Sequence, residues 1–259
     1  MDKSHNALIS GILEARRTGT LLDGHEASWG LRNLEDGYSV QEAVVRQWGD
    51  EVAGWKVGAT SRETQKLFGI SEPIYGPVFR TSVFHARARV PVKSFPHRIL
   101  EAELAFRFPE GLPMRSEGYS RNEVVAAADA LVPAFEIISP RFSAIAVRNV
   151  PLVVADFCLN GGAVLGAPCT NWRAIDLPSC TANLIVDGVV IQRGSGELVL
   201  GNPLNVLEWF VSALAQRGKS IAPGQFVMTG TITGLHAIEV GQTARSDFGT
   251  LGAVEITFA

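Results

Sequence analysis

Leu100-Glu101-Ala102-Glu103-Leu104-Ala105-Phe106 is the stretch on which the reading of this chain turns. Its apolar and polar residues alternate with a period of two, which is a strand pattern. Leu100, Ala102, Leu104 and Phe106 share one face, expected to be buried, and Glu101 and Glu103 share the other. Carbons two residues apart on a strand lie roughly 7 Å from one another, so both carboxylates can converge on one cation. On this motif alone the competing reading is a half-solvated strand with two exposed glutamates. A second stretch shifts the balance. In Leu131-Val132-Pro133-Ala134-Phe135-Glu136-Ile137-Ile138, Glu136 is the single charge. A carboxylate in so apolar a strand is costly unless it is paired or binds a metal. Arg141 and Arg148 are candidate ion-pair partners. A cluster of Glu101, Glu103 and Glu136 requires a cation, and all-oxygen ligation suits Mg2+ or Mn2+.

Outward from these strands, β-rich runs recur at Pro73–Phe79, Ala88–Val92, Ala182–Gln192, Gln225–Ile232 and Ala253–Phe258. Asp187-Gly188 marks a hairpin turn. Helices are fewer. The first ~60 residues read as helical, with a stripe of Ala7, Leu8, Gly11, Ile12 and Ala15, a helix capped by Ser39 running to about Trp48, and another from Thr60-Ser61 to Phe68-Gly69. Later helices are expected from Arg121 to Leu131 and after Asn202, with Pro203 at the first helical position and Gly218 beyond the end. Irregularly spaced strands with few helices predict an α+β fold with a β-rich core. The composition shifts near residue 70, which divides the chain into a mainly helical part, 1–70, and a β-rich catalytic part, 71–259.

The chain has 259 residues, of which 46% are hydrophobic and 19% charged, enough to bury a sizeable core. A formal charge of −3 without a basic cluster argues against nucleic acid or a membrane surface as partner. No apolar run approaches the ~18 residues of a membrane span, and the early Glu14-Ala15-Arg16-Arg17 makes a poor signal peptide. Cys158, Cys169 and Cys180 fit free thiols in a reducing cytoplasm.

Three further segments carry candidate chemistry. Lys56, in Gly54-Trp55-Lys56-Val57-Gly58, is expected to be partly desolvated, with a lowered pKa or an anionic partner, and to contribute little to folding; the competing reading is a surface lysine whose stem covers Trp55. Thr229-Gly230-Thr231-Ile232-Thr233-Gly234 reads as the end of a strand in a glycine-rich turn, able to hold a carboxylate through N–H groups and hydroxyls or to be an ordinary β-turn. Asp156–Gly162 is a second such loop. The five histidines show no metal-binding spacing, and no nucleophile elbow, P-loop or dinucleotide fingerprint occurs.

Taken together, the chain resembles the 2-oxopent-4-enoate (2-keto-4-pentenoate) hydratase family of the fumarylacetoacetate hydrolase superfamily, which also holds 4-oxalocrotonate decarboxylases. The resemblance rests on Gly54–Ser61, Tyr75-Gly76-Pro77-Val78-Phe79, the Glu-x-Glu of Leu100–Phe106, Pro133-Ala134-Phe135-Glu136-Ile137, Val164-Leu165-Gly166, Val199–Pro203 and Thr229-Gly230-Thr231. It implies a mixed β-sandwich or roll, Glu101, Glu103 and Glu136 as metal ligands, Lys56 as the active-site lysine, and Thr231 and Asn160 as contacts to the substrate carboxylate. The implied reaction hydrates 2-hydroxypenta-2,4-dienoate through a metal-stabilised enolate, late in meta-cleavage of aromatic rings, in a cytoplasmic homo-oligomer. Two positions depart from the family pattern: Ile74 stands where the hydratases have Asp, and Asn160 where Ser is common. The missing acid removes a candidate proton shuttle and predicts a more apolar substrate pocket. Decarboxylase, C–C hydrolase and non-catalytic 2-oxo acid binding are the alternatives. Neither His85 nor His97 has an acidic partner evident from sequence for the water-activating dyad of a hydrolase.

Overall fold

The computed structural model describes residues 3–22, 29–142 and 149–259. Two helices open the chain, α1 (Lys3–Thr18) and α2 (Leu34–Trp48). They pack on each other through Leu8, Ile9, Ile12, Leu13, Val40, Ala43 and Val44. The remaining elements are β1 (Val52–Gly58), α3 (Arg62–Phe68), β2 (Ile74–Phe79), β3 (Val83–His85), β4 (Arg87–Val90), β5 (Ile99–Phe108), α4 (Arg121–Ala127), β6 (Ala130–Ile138), α5 (Val150–Ala155), β7 (Asn160–Leu165), β8 (Thr181–Val186), β9 (Val189–Ser195), α6 (Pro203–Gln216), β10 (Gln225–Ala237), β11 (Thr243–Asp247) and β12 (Ala253–Phe258).

The strands form two mixed sheets. The larger has the order β2-β1-β10-β5-β6-β7-β3 and the smaller β4-β12-β11-β8-β9. This is the expected α+β architecture with a β-rich core. The larger sheet curls until β2, at one edge, packs against β7 near the other. Its outer face carries Leu100, Ala102, Leu104, Phe106 and Phe135 into the main core, beside Leu184, Ala244, Val254 and Ile256 of the smaller sheet and Leu207 and Phe210 of α6. Its inner face is lined by Val78, Ala105, Val132, Ala134, Ala163 and Met228, with the Phe226 ring beside them. Period-two alternation puts Glu101, Glu103 and Glu136 on that inner face.

Several expectations hold locally. Ser61 caps α3, its side chain accepting from Thr64 N, and Gly69 closes the helix in the left-handed region. Asn202 caps α6 with Pro203 at its first position. Asp187 and Gly188, both at positive φ, turn the β8–β9 hairpin. Others need correction. The helix assigned to Ser39 starts a turn and a half earlier, because Asn33 accepts from Asp36 N at 2.9 Å and Glu35 and Asp36 favour a helix N-terminus. The helix from Arg121 stops at Ala127, since the apolar residues that follow are drawn into β6. The helical reading of the first ~60 residues fails at Val52–Gly58, which forms β1, parallel to β10 and antiparallel to β2. The boundary expected near residue 70 falls between α3 and β2, and β1 on its near side pairs with β2 on its far side. Gly196–Gln216 has the length and hydropathy of a membrane span, against expectation. Here α6 directs Val206, Leu207, Phe210, Val211 and Leu214 into the protein core.

Candidate metal centre

Strand register assembles the site. Glu101 on β5 lies directly opposite Glu136 on β6, and Glu103 lies opposite Thr231 on β10. Carboxylate oxygens of Glu101, Glu103 and Glu136 all come within 4.8 Å of one another. Glu103 and Glu136 are wholly buried and Glu101 nearly so. Lys56, 3% exposed, reaches the cluster from β1. Its Nζ lies 3.1 Å from Glu136 Oε2, too poorly aligned to donate to it, and donates instead to the Cys158 carbonyl at 3.1 Å. Asn160 Nδ2 donates to Glu136 Oε1 at 2.9 Å, and Gly230 N donates to Glu103 Oε2 at 2.7 Å. Glu103 Oε1 has no hydrogen-bond partner among the described residues.

The electrostatics follow from this crowding. Burial and the neighbouring Glu136 push the Glu101 carboxyl up to about 8, against the pull of Lys56. Burial, Glu136 and Glu101 push Glu103 well above the usual carboxylate range. Burial works against the charge on Lys56, but Glu136, Glu101 and Glu103 outweigh it and hold the lysine above its ordinary value. The expectation of a lowered lysine pKa is therefore corrected, while that of an anionic partner stands. As a buried counter-charge to Glu136, Lys56 is placed to support the fold as well as the site. The partner of Glu136 is Lys56 and not Arg141, whose side chain donates to Ser139 Oγ and the Ser94 carbonyl; Arg148 lies outside the described residues.

Two backbone irregularities shape the walls. The Thr229–Gly234 segment, expected to be a turn, lies inside the continuous strand β10, whose pairing with β5 shifts register on either side of Thr231. At this bulge Gly230 adopts φ 107°, and any side chain there would collide with Thr60. Glycine is thus what lets the 230 amide turn onto Glu103. The second irregularity is a run of three non-glycine residues in the left-handed region: Phe157, Cys158 and Leu159, at φ 58°, 53° and 67°. Such residues cost roughly 1–2 kcal/mol each, so the surroundings must enforce the turn. Gly76 lies against the Phe157 carbonyl, where a side chain would not fit.

A cavity of about 380 Å3 opens onto the cluster. Lys56, Glu101, Ile74 and Thr231 line it, so four of the seven candidate residues meet there. Glu103 and Glu136 sit beneath, and Asn160, itself buried, supports Glu136 from behind. Thr231 Oγ1 donates to the Gly234 carbonyl at 3.2 Å. Phe68, Leu198 and Leu235 add apolar wall. Neither His85 nor His97 is among the lining residues described. Sequence reasoning did not assign the Cys158 carbonyl or Thr60 to the site, although both lie in stretches it singled out, since neither a backbone carbonyl nor a lone threonine signals chemistry by itself. A wider hollow of about 1130 Å3, bounded by Tyr38, Tyr75, Trp209 and Arg217, does not touch the carboxylates.

A curled sheet that presents three buried carboxylates and one lysine at the floor of a partly open cavity has the donor set that all-oxygen cation sites of enzymes use. The chain belongs to the fumarylacetoacetate hydrolase family: that family's C-terminal region, "Fumarylacetoacetate (FAA) hydrolase C-terminal", matches residues 60–259. It is 30% identical over 260 residues to a 2-keto-4-pentenoate hydratase of Burkholderia vietnamiensis, covering 99% of this chain and 98% of that one. It is likewise 30% identical to a 2-oxo-hept-4-ene-1,7-dioate hydratase of Escherichia coli, covering 87% and 86%. Among solved structures, 4-oxalocrotonate decarboxylase from Pseudomonas putida G7, complexed with magnesium and adipate, superposes with a TM-score of 0.90 at 26% identity, over 98% of this chain and 97% of that one.

Proposed function

We propose that this protein is a divalent-metal-dependent lyase, hydratase-like, acting on a small 2-oxo or 2-hydroxydienoic acid of the kind formed when aromatic rings are opened by meta-cleavage. The observation that carries this is the charge imbalance at the cavity floor: three buried carboxylates face one lysine, and Glu103 Oε1 lacks a partner. Such a buried excess of negative charge is relieved either by protonation, as the raised Glu101 and Glu103 show, or by a further cation, and only a cation holds all three carboxylates ionised near neutral pH. The residues fit Mg2+ or Mn2+, which Glu101, Glu103 and Glu136 would hold. When bound, the metal supplies Lewis acidity toward the 2-oxo acid oxygens and stabilises enolate character. The remaining chemistry belongs to the chain. Lys56 is positioned to donate a proton or hydrogen bond to a substrate oxygen at the cavity floor. Thr231 offers a hydroxyl to the substrate carboxylate, while Asn160 keeps Glu136 aimed. Ile74, Phe68, Leu198 and Leu235 take the hydrocarbon tail and keep bulk water from it. We assign the active species to a cytoplasmic homo-oligomer, as the family resemblance implies.

Decarboxylation is the second reading, and Ile74 favours it. Hydration needs a proton moved between water and a carbon, and an isoleucine cannot move one. Loss of CO2 from a dicarboxylic 2-oxo acid whose distal carboxylate sits β, or vinylogously, to the 2-oxo group passes the bond's electron pair onto the 2-oxo oxygen, so it needs chiefly stabilisation of the resulting enolate. Product analysis with Mg2+ on 2-hydroxypentadienoate, longer 2-hydroxydienoates and their dicarboxylic analogues separates the two. A 4-hydroxy-2-oxo acid product supports the hydratase; stoichiometric CO2 supports the decarboxylase; no turnover of any of them overturns the lyase reading. Because Ile74 makes the pocket apolar, we expect the five-carbon substrate to be slow and a larger acid preferred, with Ile74→Asp raising hydration of the five-carbon substrate. A wild-type kcat/KM on that substrate at or above ~10⁴ M⁻¹s⁻¹, ordinary for an enzyme on its own substrate, refutes this size preference.

A further inference from the structure

The left-handed turn Phe157–Leu159 holds two supports of the metal centre. Its Cys158 carbonyl accepts from Lys56 Nζ, and the next residue, Asn160, donates to Glu136. The turn contains no glycine, so its own sequence disfavours the conformation it adopts. Backbone bonds from Leu159 N to the Asp156 carbonyl and from Ser139 N to the Leu159 carbonyl hold part of it, and a side chain from the first helix completes the hold. Arg16, near the end of α1 and 140 residues away, spans the turn. Its Nη1 donates to the Asn160 carbonyl at 3.0 Å, while Nη2 donates to the Asp156 carbonyl at 3.0 Å and to Asp156 Oδ1 at 2.6 Å. The guanidinium carbon sits 4.0 Å above the centre of the Phe157 ring. One planar group thus ties the residue before the turn to the residue after it and covers the turn's first side chain. Asp156 is anchored in turn: its Oδ2 accepts from the Arg141 amide at 2.7 Å. The Arg16 and Asp156 side chains are 6% and 0% exposed.

We propose that Arg16 is a positioning residue for the active site: by clamping the Asp156–Asn160 backbone in its left-handed form, it sets the Cys158 carbonyl that aims Lys56 and the Asn160 amide that aims Glu136. This inference rests on the proposed function of that site. Anchoring of α1 is already provided by Leu8, Ile9, Ile12 and Leu13 in the apolar cluster shared with α2. Docking a helix does not call for a guanidinium that reaches two carbonyls and a carboxylate at once. Only arginine has the fixed fork of donors to do so; a lysine ammonium is a point charge that satisfies one or two of them.

The test compares Arg16→Lys and Arg16→Met with Leu8→Ala, which weakens the apolar packing of α1, in the cluster that also holds Phe157, while leaving every polar contact of Arg16 to the turn in place. Native-state alkylation of the cysteines, followed by peptide mass spectrometry, reports the turn directly. Cys158 lies within it, and Cys180, buried beside β8, reports global opening. For Arg16→Lys we expect the Cys158-to-Cys180 labelling ratio to rise about tenfold or more, Mg2+ affinity by calorimetry to weaken, and kcat to fall ~10–100-fold, the range for lost outer-sphere support, with KM within about threefold. Leu8→Ala should lower the melting temperature yet keep the labelling ratio and kcat near wild type. The proposal is overturned if the labelling ratio is unchanged in Arg16→Lys, or if Leu8→Ala raises it and lowers kcat equally at a matched loss of melting temperature. Should Arg16→Met fail to fold, Arg16→Lys decides. If the wild-type protein turns over no 2-oxo acid, the proposed function fails, and the labelling ratio still decides whether Arg16 clamps the turn.

Discussion

Removing the metal should make this protein sensitive to alkali across a range where most proteins are indifferent. Glu101 folds with its pKa raised from 4.5 to about 8, through burial and the facing Glu136. Its protonated form is therefore the one the folded, metal-free chain accepts. Stability is intact below pH 4.5 and is lost progressively as pH rises through 8, because the unfolded chain ionises first. At ~1.4 kcal/mol for each tenfold change in proton affinity, the loss amounts to roughly 5 kcal/mol, a large part of the stability of an ordinary domain. Glu103, also raised, acts in the same direction. Glu123, held down to about 2 by Arg115 and Ser120, is already ionised well below this window. Between pH 5 and pH 8 about 3.5 kcal/mol of this is lost; for a chain of this size each kcal/mol moves the melting temperature by ~2–4 °C, so the metal-free protein should melt roughly 7–14 °C lower at pH 8 than at pH 5. Saturating Mg2+ should remove the trend, since a bound cation favours the ionised carboxylates. Differential scanning calorimetry with a chelator or with Mg2+, at pH 5, 6.5 and 8, provides the measurement. A metal-free melting temperature that is flat or rises over this range refutes the argument. So does a Mg2+ stabilisation no larger at pH 8 than at pH 5.

Glu136→Gln keeps the shape of the side chain but removes one of three charges, and we expect calorimetry to show Mg2+ affinity weakened by more than ~100-fold, beyond the effect of losing an outer-sphere partner; unchanged affinity would remove Glu136 from the site. Lys56→Met should lower turnover by ~10²–10⁴ and, in the presence of a chelator, cost roughly 3–5 kcal/mol by leaving Glu136 without its counter-charge, with denaturant unfolding as the check. Gly230→Ala forces a side chain against Thr60 at φ 107° and pulls the 230 amide from Glu103; a stability loss on the order of 1–3 kcal/mol with weakened Mg2+ binding is expected, and a variant as stable as wild type would show that the bulge is not constrained.

Much of the site was legible because strands write their faces into the sequence. Alternation alone placed Glu101 and Glu103 together, and a single charge among apolar neighbours marked Glu136 as buried. Caps and turns are equally local, so Ser61, Asn202 and Asp187-Gly188 could be read without the fold. The helix start at Asn33 and the break at Ala127 could not, because several polar residues compete for the cap and because tertiary pairing in β6 overrides helix propensity. Only the tertiary structure decided who partners whom. Register across β5, β6 and β10 sets Glu101 against Glu136 and Thr231 against Glu103, next to the Gly230 amide that donates to Glu103. The parallel pairing of β1 with β10, joining segments some 170 residues apart, brings Lys56 to Glu136 ahead of the nearer Arg141. The Asp156–Gly162 loop could be read as a loop, but its left-handed run Phe157–Leu159 could not, since those three residues include no glycine and Arg16 from another element helps hold them. A buried charge announces that it needs a partner, but the partner is chosen by long-range packing, and that choice exists only once the chain has folded.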